Sequence, residues 1–459
     1  MIHFDLIVVG GGPGGYEIAA EAAKAGRKVA LFEKGQLGGT CLNRGCIPTK
    51  CLLASAGRIL HLKSDAAFGI DVPEFKLNYG AAVERTQGVV TQLRSGIDQL
   101  LRDVTVIPHE AVLHPAPSEV CGPDTCEETR LPYIIADGEE YAGEQIIIAT
   151  GSKPATLPIP GADLTINSDQ FLALTELPKS VAVIGGGVIG MEFASIMAAF
   201  GVEVTVIEYC KEILPPFDQE VAKRLRTTLS RRGIKIVVGA QVKEISRDGE
   251  ALAVTYAGKK GDERVVADTV LMAVGRKPVV PQGCEESDIH VTERGFIEVD
   301  SEMRTSAPGV YAVGDCNGRC MLAHAAAAQA RIAMGDDVDI DYIPSAVFTI
   351  PECAMVGLTE EQCKREDIHY AVGKSMFAAN GKALSMGEGE GFVKVIYSPA
   401  TRLLQGVHII GPHAADLIAE ATACMAQGAT VDEIATSIIH GHPTLSEALA
   451  AACASCACA

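Results

Sequence analysis

Cys41 and Cys46 stand in Gly38-Gly39-Thr40-Cys41-Leu42-Asn43-Arg44-Gly45-Cys46-Ile47-Pro48-Thr49-Lys50, a run of small and turn-prone residues. Two cysteines so close along a chain can meet the short Cα separation and near-perpendicular torsion of a disulfide. The glycines around them let backbone approach a planar ring. Such a loop is easily reduced and reoxidised, although the spacing by itself fits a pair of reduced core thiols equally well. A second set lies in His440-Gly441-His442-Pro443-Thr444-Leu445-Ser446-Glu447. His442 and Glu447 have the types of a general base and its orienting carboxylate, since a thiol becomes a useful nucleophile only after losing its proton. A histidine satisfied by backbone, with a glutamate on a solvated helix face, explains the same two residues without chemistry.

Positioning these groups is the task of the elements around them. Leu6-Ile7-Val8-Val9 reads as a buried strand and runs into Gly10-Gly11-Gly12-Pro13-Gly14-Gly15 and an alanine-rich helix. Gly10, Gly12 and Gly15 fit G-x-G-x-x-G, in which glycines allow a tight turn and close approach to a pyrophosphate at the helix N-terminus. Glu33 ends the next strand, where a carboxylate grips an adenosine ribose. Gly185, Gly187 and Gly190 repeat the pattern after Val181-Ala182-Val183-Ile184, and Glu208 closes the second unit. A carboxylate at Glu208 favours NAD over NADP, and no arginine stands beside it to reverse that preference. The Cys41 loop follows the first fingerprint at about the distance a flavin would span. Two nucleotides and one disulfide make a short electron path from nicotinamide through flavin to sulfur.

With these segments in view, the chain resembles the FAD-containing pyridine nucleotide-disulfide oxidoreductases, and within them most closely the dihydrolipoyl dehydrogenases. The resemblance runs nearly end to end and takes in Ala149-Thr150-Gly151, Ala273-Val274-Gly275-Arg276-Lys277-Pro278, Tyr311-Ala312-Val313-Gly314-Asp315 and Leu322-Ala323-His324. It implies that Cys41 is the interchange thiol and Cys46 the thiolate against the flavin, whose charge a helix N-terminus would support. It implies that Lys50 and Glu192 pair near the flavin, and that Thr150, Gly151, Asp315 and Ala323 hold FAD. Gly275 belongs to the NAD side. His442 is the base, because the match places it immediately before proline and leaves His440 as the competitor. His442 and Glu447 would serve the disulfide of the other subunit, which makes a homodimer the active form. Val188 stands where glutathione reductase relatives carry a tyrosine, which supports the dihydrolipoyl branch. The implied partner is a lipoyl-bearing protein of a 2-oxoacid dehydrogenase or glycine cleavage complex.

The expected architecture is α/β, with two Rossmann-like dinucleotide-binding domains and a C-terminal α+β dimerisation domain. Residues 1–149 would bind FAD, 150–273 NAD, 274–338 would return to the FAD domain, and 339–459 would form the interface. Helices are expected around Ile59 and over 89–101, with short strands around Val112 and Ile146. The 459 residues exceed one hydrophobic core and suit several domains. A formal charge of -19 disfavours nucleic acid and anionic membranes as partners. No apolar run is long enough to span a bilayer, Met1 nearly abuts the first strand, and fifteen cysteines without a secretory signal point to the cytoplasm.

Two cysteine groups stand apart. Cys121 and Cys126 repeat the active spacing in a turn-rich stretch with no fingerprint beside it, which suggests an incidental surface loop. Cys453, Cys456 and Cys458 end the chain in an alanine-cysteine tail. Thioredoxin and mercuric reductases use C-terminal cysteines to carry electrons outward or hold a soft metal, so an NAD(P)H-dependent disulfide or mercuric ion reductase is the alternative reading. No resident metal site is expected.

Overall fold

A computed structural model describes residues 1–115, 131–259 and 261–458, apart from the side chains of 457 and 458. Cys121 and Cys126 lie outside the described residues. The chain forms two compact units, the first from Met1–Cys51, Val83–Ala155 and Arg276–Ile340, and the second from Leu52–Ala82, Thr156–Gly275 and Asp341–Ala459.

In the first unit, strand Ile2–Val9 lies between Val29–Phe32 and Glu139–Ile148, parallel to both, and Thr105–Ile107 extends the sheet. A parallel strand is covered on both faces, which is why Leu6 to Val9 is an unbroken apolar run. Leu6 and Val8 enter one core with Leu31 and Ile147, while Ile7 and Val9 enter the other with Ile146 and Ile148. Glu139–Ile148 takes two partners along its other edge, Tyr133–Ala136 antiparallel and Val310–Ala312 parallel. Helix Pro13–Lys24 starts on a proline whose φ is already helical, and it packs small residues against helix Ala323–Ala333. A Cβ at Gly14 would lie 3.1 Å from that of Ala326, so this packing needs glycine-sized residues.

The second unit contains another parallel sheet, in the order Lys235–Val238, Glu203–Glu208, Ser180–Ile184, Thr269–Met272. The antiparallel meander Gln241–Asp248, Ala251–Gly258 and Gly261–Ala267 adjoins it in sequence. A five-stranded antiparallel sheet follows, ordered Ser345–Val347, Glu352–Gly357, Leu404–Gly411, Phe392–Tyr397, Ala371–Met376. Helices Ala414–Ala426 and Glu447–Ala454 cover it, and Val356, Phe377, Val395, Ile409, Ile418 and Leu449 share its core. Each such side chain contributes roughly 1.5–3 kcal/mol by leaving water. Two folds around parallel sheets and a C-terminal α+β module are the α/β architecture expected from the sequence. The helices expected near Ile59 and over 89–101 are Cys46–Ser64 and Tyr79–Leu100. No helix among the described residues is long and apolar enough to cross a membrane.

The tail departs from expectation. Helix Glu447–Ala454 continues into a turn over Ser455–Cys458, and Cys453 and Cys456 are each 1% exposed within the core beneath the five-stranded sheet. Leu449, Ala452, Cys453 and Cys456 recur at helical spacing, and buried cysteine behaves there as a small hydrophobe. Arg402 Nη1 donates to the Cys456 carbonyl at 3.1 Å, and the Lys374 amide donates to Ser455 Oγ at 2.9 Å. Burial pushes both thiols up, that of Cys456 to about 11, away from the reactive thiolate. Cys453 and Cys456 are therefore core residues and not members of a flexible electron-carrying arm.

Candidate active site

The two sulfurs sit at a joint between helices. Gly38 and Gly39, with φ of 94° and 57°, turn the chain into the short helix Gly39–Arg44, which carries Cys41 as its third residue. Gly45 breaks it, and Cys46 opens the 19-residue helix Cys46–Ser64. The Gly38 amide donates to Gly11 O at 2.7 Å, and a Cβ on Gly39 would lie 2.7 Å from Gly12 Cα. The cysteine loop is thus pressed against the first fingerprint, as the sequence spacing suggests. Asn43 braces it from within: Nδ2 donates to the carbonyls of Gly39 and Leu37, while Oδ1 accepts from Arg94 Nη2 at 2.6 Å. Neither Asn43 nor Arg94 carried a signal in the sequence beyond its polar type.

Cys41 is half-buried and Cys46 exposed, and the two side chains are within hydrogen-bond reach of each other. The hydrogen bond to Cys46, followed by burial, holds the Cys41 thiol far above the ordinary range, with the Lys50 ammonium pulling the other way. Lys50 lies one turn after Cys46 and so on the same helix face.

The fingerprints separate glycines the fold needs from glycines it does not. Gly10 and Gly185 have φ of 113° and 108°. A Cβ on Gly15 would meet Gly10 O at 1.9 Å, and one on Gly190 would meet Gly185 O at 2.0 Å. The middle glycines have no such neighbour, with only Gly39 Cα at 3.9 Å from a Cβ on Gly12 and nothing within 4 Å at Gly187. Space kept open at those two positions fits a pyrophosphate drawn onto each helix N-terminus. Glu33 accepts from the amides of Gly11 and Gly35 at 2.8 and 2.7 Å, and Glu208 from those of Gly186 and Cys210 at 2.5 and 2.6 Å. Each acid therefore fixes its own glycine turn and stands where a ribose would reach it.

Further residues gather on Asp315, in the turn Gly314–Cys316. Its carboxylate accepts from Ser152 Oγ and lies 3.8 Å from Arg276 Nε. Arg276 donates to Ser152 Oγ and to Ser152 O, both at 2.7 Å, and to Thr40 Oγ1 at 3.5 Å, beside Cys41. Arg276 lies in a motif noted in the sequence, yet only its neighbour Gly275 (φ 103°) was singled out there. Thr150 Oγ1 donates to Val279 O at 2.5 Å, Gly151 has φ 68°, and Ala323 is the first residue of its helix. Glu192 is buried on helix Val188–Ala199 and accepts from the Phe348 amide at 2.9 Å. These placements fit a long dinucleotide along the first unit and a second one in the other.

His442 and Glu447 belong to the second unit. His442 Nδ1 lies 2.9 Å from Glu447 Oε1, and Glu447 Oε2 accepts from the Thr444 amide at 2.8 Å. The Thr444 amide first, then His442, hold the Glu447 carboxyl below its usual range. The carboxylate also sits in the first turn of helix Glu447–Ala454, where the dipole favours it. With Nδ1–H given to Glu447 and the ring 81% exposed, Nε2 is presented outward as an acceptor.

Comparison with known proteins agrees with this geometry. The model of the pyridine nucleotide-disulphide oxidoreductases matches residues 4–330, and that of their dimerisation domain matches 343–453. The chain belongs to this family. It is 41% identical to a dihydrolipoyl dehydrogenase of Thermus scotoductus, covering 98% of this chain and 96% of that one. A dihydrolipoyl dehydrogenase of Bacillus subtilis is 38% identical over 97% and 96% of the two chains. Among solved structures, the HOCl-induced flavoprotein disulfide reductase RclA from Escherichia coli, as its Cu(II) complex, superposes with a TM-score of 0.85 at 28% identity, covering 99% of each chain.

Proposed function

We propose that the protein is an FAD-dependent dihydrolipoyl dehydrogenase that oxidises dihydrolipoamide and reduces NAD⁺. The observation that carries this is the cysteine pair at a helix joint pressed on the first glycine cradle, in a chain that resembles dihydrolipoyl dehydrogenases over nearly its whole length. FAD, when bound, supplies a two-electron relay between the dithiol and the nicotinamide. Residues 1–149 and 274–338 are assigned to it, with Gly10, Gly12, Gly15, Glu33, Lys50, Thr150, Gly151, Glu192, Asp315 and Ala323. Residues 150–273 are assigned to NAD through Gly185, Gly187, Gly190, Glu208 and Gly275, and residues 339–459 to dimerisation.

The thiol chemistry is assigned to four side chains. His442 Nε2 takes the proton of one substrate thiol, and the thiolate attacks Cys41 Sγ of the oxidised pair. The Cys41–Cys46 bond breaks, and Cys46 leaves as a thiolate. The second substrate thiol attacks the sulfur joined to Cys41, closes the substrate disulfide, and leaves its proton on Cys41. Two electrons now reside on the enzyme sulfurs and one proton on His442, oriented by Glu447. His442 of one protomer is assigned to the disulfide of its partner, in keeping with the dimerisation domain. A lipoyl-bearing protein of a 2-oxoacid dehydrogenase or glycine cleavage complex is the proposed partner, and the cytoplasm the proposed location.

Anaerobic titration of the flavin holoenzyme with dihydrolipoamide and then NAD⁺, followed by absorption, tests the assignment. Reduction by the first and reoxidation by the second are expected. Reduction by dihydrolipoamide no faster than by a monothiol would defeat it.

A further inference from the structure

The helix that carries Cys41 is six residues long and has no side-chain cap on its first turn. A helix that short does not persist in water by itself, so its shape depends on what holds it from outside. Asn43 is the polar hold: Nδ2 donates to the carbonyls of Gln36, Leu37 and Gly39 at 3.3, 3.0 and 2.9 Å. An amide turned over about its last bond would set its oxygen against those three carbonyl oxygens. Arg94 forbids the turned form, because its Nε and Nη2 both donate to Asn43 Oδ1, at 3.1 and 2.6 Å. A guanidinium has no acceptor, so only the amide oxygen can face it. Nη2 also donates to Gln36 Oε1 at 3.0 Å. Helix Tyr79–Leu100 delivers Arg94 rigidly, since Val90 and Ile97, on the same helix face, share a core with Leu42 of the cysteine helix.

We infer that Arg94 is a positioning residue for thiol–disulfide exchange: through Asn43 it keeps Cys41 in register with Cys46 while the bond between the two sulfurs is open, and so sets how readily that bond closes. This rests on the reading of Cys41 and Cys46 as the redox pair. Closed, the disulfide itself restrains the loop. Open, that restraint is gone and the bonds of Asn43 and Arg94 take its place. Loosening the open form lowers the effective concentration of one thiol at the other and shifts the equilibrium toward the dithiol. In the balanced exchange, the enzyme disulfide and a reduced dithiol give two enzyme thiols and the reagent's cyclic disulfide, both protons passing to the enzyme sulfurs. Without Arg94 the pair is therefore easier to reduce. A direct effect of the guanidinium charge has the opposite sign, because taking a cation away from a thiolate disfavours the reduced form. Geometry and charge at Arg94 are thereby separable.

The test uses the FAD holoenzyme equilibrated anaerobically with mixtures of reduced and oxidised dithiothreitol, the thiols of Cys41 and Cys46 being counted by alkylation and peptide mass spectrometry. Arg94→Met should shift the equilibrium toward the dithiol about three- to tenfold, which is about 15–30 mV at about 30 mV per tenfold. Arg94→Lys, which keeps the charge and loses the fork, should fall between Arg94→Met and wild type. Asn43→Ala should shift in the same direction, and Arg94→Met should add nothing on that background. An equilibrium in Arg94→Met that is unchanged, or shifted toward the disulfide, overturns the inference whether or not Asn43→Ala folds. A full second shift in the double variant overturns it as well, since Arg94 would then act without Asn43. A wild-type pair that opens at no ratio of the reagent would instead remove the redox reading of Cys41 and Cys46, and this inference with it.

Discussion

Cys46 opens a long helix while Cys41 lies inside a short one, and this separates two otherwise equivalent sulfurs. The partial positive charge of a helix N-terminus favours a thiolate at Cys46, whereas the bond to Cys46 and burial keep Cys41 protonated. Cys46→Ser holoenzyme should therefore lack any long-wavelength thiolate-to-flavin absorption band, and Cys41→Ser should retain one. A band in Cys46→Ser would reverse the two roles. His442→Gln should lower turnover with dihydrolipoamide by about 10²–10⁴-fold, the usual contribution of a positioned base, and steady-state assays will show whether it does. At this scale the types and spacing of Cys41, Cys46, His442 and Glu447 are readable from contiguous sequence. Which histidine presents a free nitrogen is not, because that depends on Glu420 lying within 2.6 Å of His440.

Among the elements, the two glycine turns make a sharper comparison than either thiol helix. A methyl group at Gly190 would overlap Gly185 O, whereas at Gly187 it would project into open space. Gly190→Ala should consequently cost the fold, seen as a large drop in melting temperature or loss of soluble protein. Gly187→Ala should melt like wild type yet raise KM for NADH about tenfold or more, roughly 1.4 kcal/mol of lost binding. Equal NADH kinetics in Gly187→Ala and wild type would show that no pyrophosphate approaches there. Strand, glycine turn and helix were legible because each fingerprint is local. The burial of Cys453 and Cys456 was not legible in the tail, because an alanine-cysteine stretch shows no partner until a sheet is present to bury it.

For the molecule as a whole, the least expected feature is a buried ionic cluster inside the second unit. Lys394 pairs with His408 across adjacent strands, and its ammonium bonds both Asp218 oxygens, at 3.0 and 2.9 Å, and Glu360. Asp218 also caps helix Gln219–Arg231, so one carboxylate ties a helix of the dinucleotide fold to the antiparallel sheet. Burial alone would raise the Asp218 carboxyl, but the Lys394 ammonium bonded to it, helped by the Glu220 amide, outweighs burial and holds it below its usual range. Lys394 and Tyr370 likewise outweigh burial at Glu360 and bring its carboxyl to about 2. Burial keeps His408 neutral. Depressed carboxyls stabilise the fold above their unfolded values, near pH 4, and that contribution disappears as pH falls toward 2. A histidine buried neutral adds a loss that begins below about pH 6.5, where the unfolded chain binds the proton first. Melting temperature should thus decline from about pH 6.5 downward, and His408→Gln should delay the onset to about pH 4. Asp218→Asn, which takes one carboxylate from the Lys394 ammonium and leaves it Glu360, should cost about 1.5–3 kcal/mol in denaturant titration.

Assembly supplies a separate test at the same scale. Co-refolding Cys41→Ser with His442→Gln should restore about a quarter of wild-type sites, since half the dimers are mixed and each mixed dimer has one complete site. No recovery would mean that base and disulfide belong to the same chain.

Local order along the chain was enough for the dinucleotide turns, the cysteine pair and the base motif, because each is written in fewer than a dozen consecutive residues whose backbone needs are strict. Tertiary structure alone decided the rest. Ser152 meets Asp315 across 163 positions, Arg276 meets Thr40 across 236, and Lys394 finds Asp218 across 176. Hydrogen bonds between such distant residues, and the burial of Cys453 and Cys456, exist only once sheets and helices have packed, and no spacing along the chain encodes them.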